Sequence, residues 1–282
     1  TMYDYVSSHW SDDETTAVTP FLTYANRIRS VVVENGVTSI GENAFYGCNR
    51  LTSVSLPDTL YAINSNAFYG CSHLTDIQIP EGTEFLSGSA FRNCNALRTL
   101  QFPASLTNCE NVSYLYACNG LENFVVDADN PSYASVDGIL YNKKKSSLLV
   151  VPSAWNQTVL TVPETVTQIA SEAMDNNQKV QKVILPAGLT MIDSYSFYNC
   201  RSLKTMIFQG NAPSLYSTSC LGTNDLHIYA HLSSSSDWDS LKKSMDDSSY
   251  RVNWHDLDTF DNTLKLTAES TTLHGGENAL VT

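Results

Sequence analysis

The strongest constraint on the fold is an apolar pattern that recurs three times between Ile40 and Pro103. In each copy an isoleucine or leucine is followed by an Ala-Phe pair, a cysteine, three further apolar residues and a proline. The copies begin at Ile40, Ile63 and Leu86, so equivalent residues are 23 positions apart. One such unit is too small to bury its own apolar face. Self-similarity at this period therefore predicts a solenoid in which each coil covers the next.

Each copy divides into two parts by the spacing of its apolar residues. From Leu51 to Leu56 apolar and polar side chains alternate, which predicts a short strand with one buried face. Pro57 ends that strand, because proline lacks the N–H that a ladder needs. From Ile40 to Cys48 the spacings indicate a helical or 3₁₀ turn that buries Phe45. The predicted fold class is α/β, a solenoid with one short parallel strand and one turn in each coil.

The string from Gly36 to Pro57, GVTSIGENAFYGCNRLTSVSLP, resembles the BspA-type leucine-rich repeat of bacterial and protozoan surface proteins. Repeats of this type extend over most of the chain, from Arg27 to Trp254. The resemblance implies a capped leucine-rich-repeat solenoid, exported to the cell surface or beyond it. It also implies an adhesin-like role, although a shared fold does not fix the ligand.

The repeats predict four parts along the chain. Residues 1–27 form an N-terminal cap, with a helix that begins at Pro20. Residues 28–225 are the leucine-rich repeats, interrupted at 127–156 by a β-hairpin insert. Residues 226–260 form a C-terminal cap. Residues 261–282 are either a plain tail or the first strands of an immunoglobulin-like module, and the sequence leaves both open.

The composition limits the kinds of partner that the chain can be expected to bind. The formal net charge is −13 and the pI is near 4.7, so nucleic acid and anionic membrane surfaces would be repelled. No run of about 18 apolar residues is present, so no membrane-spanning segment is expected. An export signal, if the gene encodes one, is expected outside these residues. We expect a monomer.

Neither a metal site nor a cofactor is expected. The cysteines recur once per coil at Cys48, Cys71 and Cys94, which favours free, buried thiols over disulfides and lacks the Cys-x2-Cys pair of zinc sites. The acidic residues at the start of the insert fail the calcium-loop pattern, because Pro131 falls where a ligand is needed. His227 and His231 lie on a predicted strand and cannot share a helical face.

The sequence also predicts that the protein is not an enzyme. No G-x-S-x-G, P-loop or dinucleotide-binding motif occurs, and the six histidines are scattered along the chain. The recurring cysteines are expected to be too buried and too apolar to ionise, which argues against a cysteine nucleophile.

Binding is instead expected on two rows of outward side chains. The first row lies between the buried strand residues and is predicted to line a concave surface: Ser53, Ser55, Asp76, Gln78, Thr99, Gln101, Lys182 and Thr205. The second row, which we call the tyrosine row, follows the buried aromatic of each coil: Tyr46, Tyr69, Tyr116 and Tyr198, with Arg92 between them. Both rows are either the site for an extracellular protein or glycan or plain solvent-facing filler. The alternative function is a passive spacer that displays another module.

Overall fold

The computed structural model describes residues 21–216, 223, 225–233, 237–246 and 251–259. Over these residues the chain winds as a parallel β-solenoid of about nine turns, which confirms the predicted fold class. Equivalent residues of neighbouring coils lie opposite each other, as Val31 does with Val54 and Ile40 with Ile63. The 23-residue sequence period is thus the hydrogen-bonding register of the coils.

Nineteen short strands are present in the described part of the chain. In chain order they are β1 (Ser30–Val32), β2 (Ser39–Ile40), β3 (Ser53–Ser55), β4 (Ala62–Ile63), β5 (Phe85–Ser87), β6 (Thr99–Phe102), β7 (Asn108–Glu110), β8 (Asn123–Val126), β9 (Tyr133–Val136), β10 (Ile139–Asn142), β11 (Ser147–Val150), β12 (Val159–Thr161), β13 (Gln168–Ile169), β14 (Lys182–Leu185), β15 (Met191–Ile192), β16 (Thr205–Phe208), β17 (Ser214–Leu215), β18 (Leu226–Ala230) and β19 (Val252–Asp256). Three 3₁₀ helices cover Leu22–Tyr24, Gly88–Phe91 and Val112–Ala117, and one α-helix, α1, covers Asp237–Asp246.

The strands predicted from the alternating segments form what we call the main ladder. It has three parallel sections, β1-β3, β6-β8 and β12-β14-β16-β18-β19. The second repeat copy departs from the prediction, because no strand forms between Leu74 and Pro80. Aspartate is a poor strand residue, and the Asp76 carboxylate accepts a hydrogen bond of 3.1 Å from the Gln78 side chain.

A second ladder, which the sequence did not predict, lies on another side of each coil. It comprises the parallel set β2-β4-β5-β7 and the set β17-β15-β13-β11-β10-β9. Ile40, expected in a helical turn, lies in β2, and the turn follows it over residues 42–47. Strands of two residues give no visible alternation, so the sequence pattern could not distinguish them from the turn.

A column of phenylalanines joins the first four coils. Phe21, Phe45, Phe68 and Phe91 stack nearly parallel with ring centroids 5.3–5.6 Å apart. The recurring cysteines are free and buried, as the sequence indicated. Four of these thiols also donate to a carbonyl oxygen of the preceding coil, as Cys71 does to Phe45 at 3.3 Å and Cys118 to Phe91 at 2.8 Å. Burial raises the pKa of Cys48 to about 11 and that of Cys118 to about 12.

The hairpin insert forms as predicted and divides the core in two. β10 and β11 pair antiparallel, and β9 adds a third strand to β10. Leu140 and Val150 pack into the core of the N-terminal coils, whereas Tyr141 and Leu148 pack into the core of the C-terminal coils. β11 then pairs in parallel with β13, so the C-terminal part of the second ladder starts from the insert.

At the start of the described chain, Phe21 stacks on Phe45 beside the first 3₁₀ helix. At the other end, β18 and β19 extend the main ladder, and Trp238 of α1 is buried against Phe208. The cap boundaries therefore stay predictions. Residues 1–20, Cys220 and the tail 261–282 lie outside the described residues.

Removal of one ring from the phenylalanine column should cost much of the stability of the fold. Phe68 is fully buried between Phe45 and Phe91. We expect Phe68→Ala to lower the free energy of unfolding by about 3–5 kcal/mol, through lost contacts and the cavity that remains. Denaturant unfolding followed by circular dichroism measures this loss. Tyr24→Ala, at a ring that is 58% exposed, is the control; a loss below about 1 kcal/mol for Phe68→Ala would contradict the column.

Candidate binding surface

The main ladder aligns its outward side chains in rows across successive strands. In the C-terminal section one row runs through Val159, Lys182, Thr205, His227 and Asn253, one residue from each strand. In the N-terminal sections, Ser53 lies opposite Ser30 and Thr99 lies opposite Asn123. Of the predicted row, Ser53, Ser55, Asp76, Gln78 and Gln101 are exposed, and Thr99 and Thr205 are half-buried. Within each section of the main ladder the outward side chains form a continuous row. The rows of different sections are not joined, because the sections are separate sheets.

Lys182 was predicted to lie in the exposed row, and the structure corrects this prediction. Its side chain is only 8% exposed, and burial lowers the pKa of its amino group. Alternation shows which face a side chain occupies but not how deeply it lies there. Lys182 is flanked in its row by Val159 and Thr205, and a lysine stem readily lies along such neighbours.

The exposed apolar residues of the main ladder are all valines. Val32 is 75% exposed, Val125 is 49% exposed and Val159 is 39% exposed. They occupy outward positions of β1, β8 and β12, one on each ladder section. Each section therefore offers solvent an apolar contact beside polar side chains.

A histidine pair at the C-terminal end of this face was missed by sequence reasoning. His227 Nδ1 and His255 Nε2 are 2.9 Å apart, and their rings lie within 10° of parallel with centroids 5.1 Å apart. The rings thus meet edge to edge, one nitrogen donating and the other accepting. Tyr229 stacks on His255 at 4.5 Å. Burial and then the neighbouring His227 lower the pKa of His255. The two residues are 28 apart, so only the coil register could have indicated the pair.

The tyrosine row is regular only at its start. Tyr46 and Tyr69 stack 4.6 Å apart and 2° from parallel, and both rings are half-buried. Arg92 takes the next position and lies over the ring of Tyr114 at 5.8 Å. The side chain of Tyr116 lies outside the described part of the structure. Within the described residues, Tyr46 and Tyr69 are thus the two members of the row that stack on each other, and the binding role of the row stays a prediction.

Beyond the insert the row position holds Asp175 and then Tyr198. The Asn176 N–H donates to the Tyr198 carbonyl, so these two turns lie side by side. Tyr198 meets Tyr195 edge to face at 5.5 Å, and the two rings are 39% and 40% exposed. Burial, and then the neighbouring Glu172, raise the pKa of Asp175 to about 6. This end of the row combines aromatic faces with carboxylates.

Neither a metal centre nor a membrane span is visible in the described ranges. No group of three histidine, cysteine or acidic side chains there is arranged to hold a metal ion. Asn130, which lies beside the acidic residues at the start of the insert, is fully buried and donates to the carbonyl oxygens of Pro103 and Leu106. None of the helices within these ranges has both the length and the apolar character that crossing a membrane requires.

Comparison with known proteins identifies the repeat. The model of the BspA type leucine rich repeat region matches in six copies, over residues 19–135 and 153–237. A leucine-rich repeat protein from Eubacterium ventriosum has 23% identity and a TM-score of 0.57, over 77% of this chain and 70% of that chain. The pneumococcal vaccine antigen PcpA has 15% identity and a TM-score of 0.51, over 81% of this chain and 89% of that chain. At these identities the similarity shows the fold alone. No curated protein matches the sequence.

Asp175 should make stability depend on pH. Its pKa is raised from an ordinary 3.8 to about 6, so the folded state favours the protonated acid. Its contribution is fully present below pH 3.8 and is lost as the pH rises through 6. We expect Asp175→Asn to melt at a higher temperature than the wild type at pH 7.5, with no such difference at pH 3.5. An equal shift at both pH values would contradict the assignment.

Tyr195 should be strained. Its φ is +57°, in the left-handed region, where the equivalent positions of other coils hold Asn43 and Asn66. Asparagine tolerates this conformation better than other side chains do. Tyr195→Asn and Tyr195→Ala both remove the ring, so we expect the asparagine variant to be more stable by about 1 kcal/mol. Urea unfolding measures the difference, and Asn66→Ala should show a similar loss. Equal stability of the two Tyr195 variants would remove the case for strain.

Proposed function

Because the chain belongs to the BspA-type leucine-rich repeat family, we propose that it is an exported bacterial binding protein that acts at the cell surface or outside the cell. It recognises an extracellular protein or glycan by adhesin-like contact through the solenoid surface. It does so as a monomer, without a cofactor and without chemistry of its own.

The observation that carries this proposal is the exposure of valine and tyrosine side chains on the solenoid surface, beside the stacked pair of Tyr46 and Tyr69. Large hydrophobic residues exposed in the described chain are valines of the main ladder and tyrosines elsewhere: Val32, Val125, Val159, Tyr24, Tyr61, Tyr114, Tyr195, Tyr198 and Tyr216. Single exposed hydrophobic residues are ordinary in soluble proteins, but tyrosine is enriched where proteins bind partners. It offers a wide apolar face with a polar tip, at little cost in side-chain entropy.

The coil register places equivalent side chains side by side, so that neighbouring tyrosines of the row can support each other. Tyr46 and Tyr69 hold each other parallel, so neither ring has to be ordered when a partner arrives. The net charge of −13 favours a partner with a neutral or basic contact surface and disfavours nucleic acid.

The proposal is tested by binding of the purified chain to extracellular-matrix proteins, mucins and immobilised glycans. A tyrosine-row variant carries Tyr46→Ala, Tyr69→Ala and Tyr198→Ala, and a main-ladder variant carries Ser55→Arg, Gln101→Arg and Val125→Arg. We expect saturable wild-type binding that one of the two variants weakens by at least about tenfold. Tyr24→Ala is the control, because it removes an exposed tyrosine ring outside both rows.

Two outcomes contradict the proposal. Binding that both folded variants retain would place the contact elsewhere on the chain. No saturable binding by the wild type to any of these surfaces would instead favour a passive spacer that displays another module. Thermal melting of each variant, compared with the wild type, shows whether a loss of binding reflects the surface or the fold.

A further inference from the structure

An open depression with a volume of about 430 Å³ lies on the second ladder, away from the main ladder and from the tyrosine row. We call it the Tyr61 pocket; it is lined by Tyr61, Ala62, Asn64, Glu84, Phe85, Thr107 and Asn108. Its volume lies in the range of about 300–1,000 Å³ that small-molecule sites occupy. Neither the repeat pattern nor the predicted binding rows pointed to it.

The coil register explains why a cavity forms here. Tyr61, Glu84 and Thr107 hold one repeat position in three successive coils, 23 residues apart. The next position holds Ala62, Phe85 and Asn108, which lie opposite one another in β4, β5 and β7. Ala62 is the small member of this row; it is buried, but unlike Ile63 beside it, it does not belong to the core cluster of the N-terminal coils. The missing side-chain volume at Ala62 leaves the depression between Tyr61 and Phe85.

Four of the five polar side chains of the pocket are free to bind; the fifth, Asn64, donates to the Ile40 carbonyl at 3.0 Å. Within the described part of the chain, the side chains of Tyr61, Glu84, Thr107 and Asn108 make no hydrogen bond or ion pair. The same repeat position in the C-terminal coils behaves differently, because Thr167 and Thr190 each donate to a carbonyl oxygen of the preceding coil, at 3.2 and 2.9 Å. The pocket therefore gathers donors and acceptors that equivalent coils use internally.

We propose that the Tyr61 pocket binds a neutral or amino saccharide. The ring of Tyr61 is 52% exposed and offers a face on which the C–H side of a pyranose can stack. The Glu84 carboxylate accepts hydrogen bonds from sugar hydroxyls, while the Asn108 amide and the Thr107 hydroxyl can both donate and accept. An acidic sugar would be repelled by Glu84 and by the net charge of −13.

An extended peptide fits the pocket less well. Peptides that bind to sheets pair with a free strand edge, and β4 and β5 are each paired on both sides, in the order β2-β4-β5-β7. Recognition here must use side chains alone, which suits a ligand that carries its own hydroxyl groups. The site is separate from the surface proposed for the macromolecular partner, so either can fail without the other.

The experiment is a glycan array followed by calorimetric titration with the best-bound mono- to trisaccharide, using the whole chain. We expect Tyr61→Ala and Ala62→Leu each to weaken saccharide binding by at least about tenfold, the first by removing the stacking face and the second by filling the cavity. Tyr61→Phe keeps the ring and should stay within about threefold of the wild type. Thr190→Ala, at the same repeat position outside the pocket, should bind as the wild type does.

Three results would overturn the proposal. One is the absence of saccharide binding by the wild type at millimolar concentration. The second is unchanged binding by folded Tyr61→Ala and Ala62→Leu variants, which would place the sugar elsewhere. The third is a preference for a basic peptide over every sugar, lost on Tyr61→Ala. Ala62→Leu removes no side-chain contact and adds volume at the pocket lining, so it keeps the test decisive even if Tyr61→Ala fails to fold.

Discussion

The rest of the structure depends on the hydrogen bonds that each coil makes to its neighbours. A single coil cannot pair its own backbone groups, since its strands are two to five residues long and lie on different sides. Stacking at a 23-residue register satisfies those groups and superimposes equivalent side chains. The phenylalanine column and the thiol donors follow from this superposition, because each inward position meets its own equivalent above and below. Each buried side chain must therefore pack against its equivalents in the neighbouring coils, 23 residues away.

The hairpin insert shows how the register survives a large interruption. β10 is buried on both faces, with Leu140 facing one core and Tyr141 the other. β11 pairs antiparallel with β10 on one side and in parallel with β13 on the other, so the parallel pairing of the later coils starts from the insert. After β11 the chain returns to the regular coils, and the indole N–H of Trp155 donates to the Asp137 carbonyl at 2.8 Å. The insert thus replaces one coil, and it joins the two cores because one strand contributes to both.

The sequence predicted the solenoid, its inward residues and the hairpin, because all of these repeat or alternate over many residues. It missed the second ladder, since strands such as Ser39–Ile40 are too short to show a period. It placed Lys182 in solvent, because alternation identifies a face and not a depth. The His227–His255 pair and the Tyr61 pocket depend on contacts between coils at outward positions, where no periodic residue type marks them.

Outward positions are where a repeat protein can acquire specificity, because the register constrains them least. The chain supplies its own comparison: one position carries Tyr61, Glu84 and Thr107 in adjacent coils but Thr167 and Thr190 beyond the insert. The later threonines use their hydroxyls to tie coils together, whereas the earlier residues give up that hydrogen bond. Tyr195, strained where other coils hold asparagine, is a second such departure. Side chains that stabilise their coil less than their equivalents do, and stay exposed, are therefore the positions at which contact with something outside the fold should be tested first.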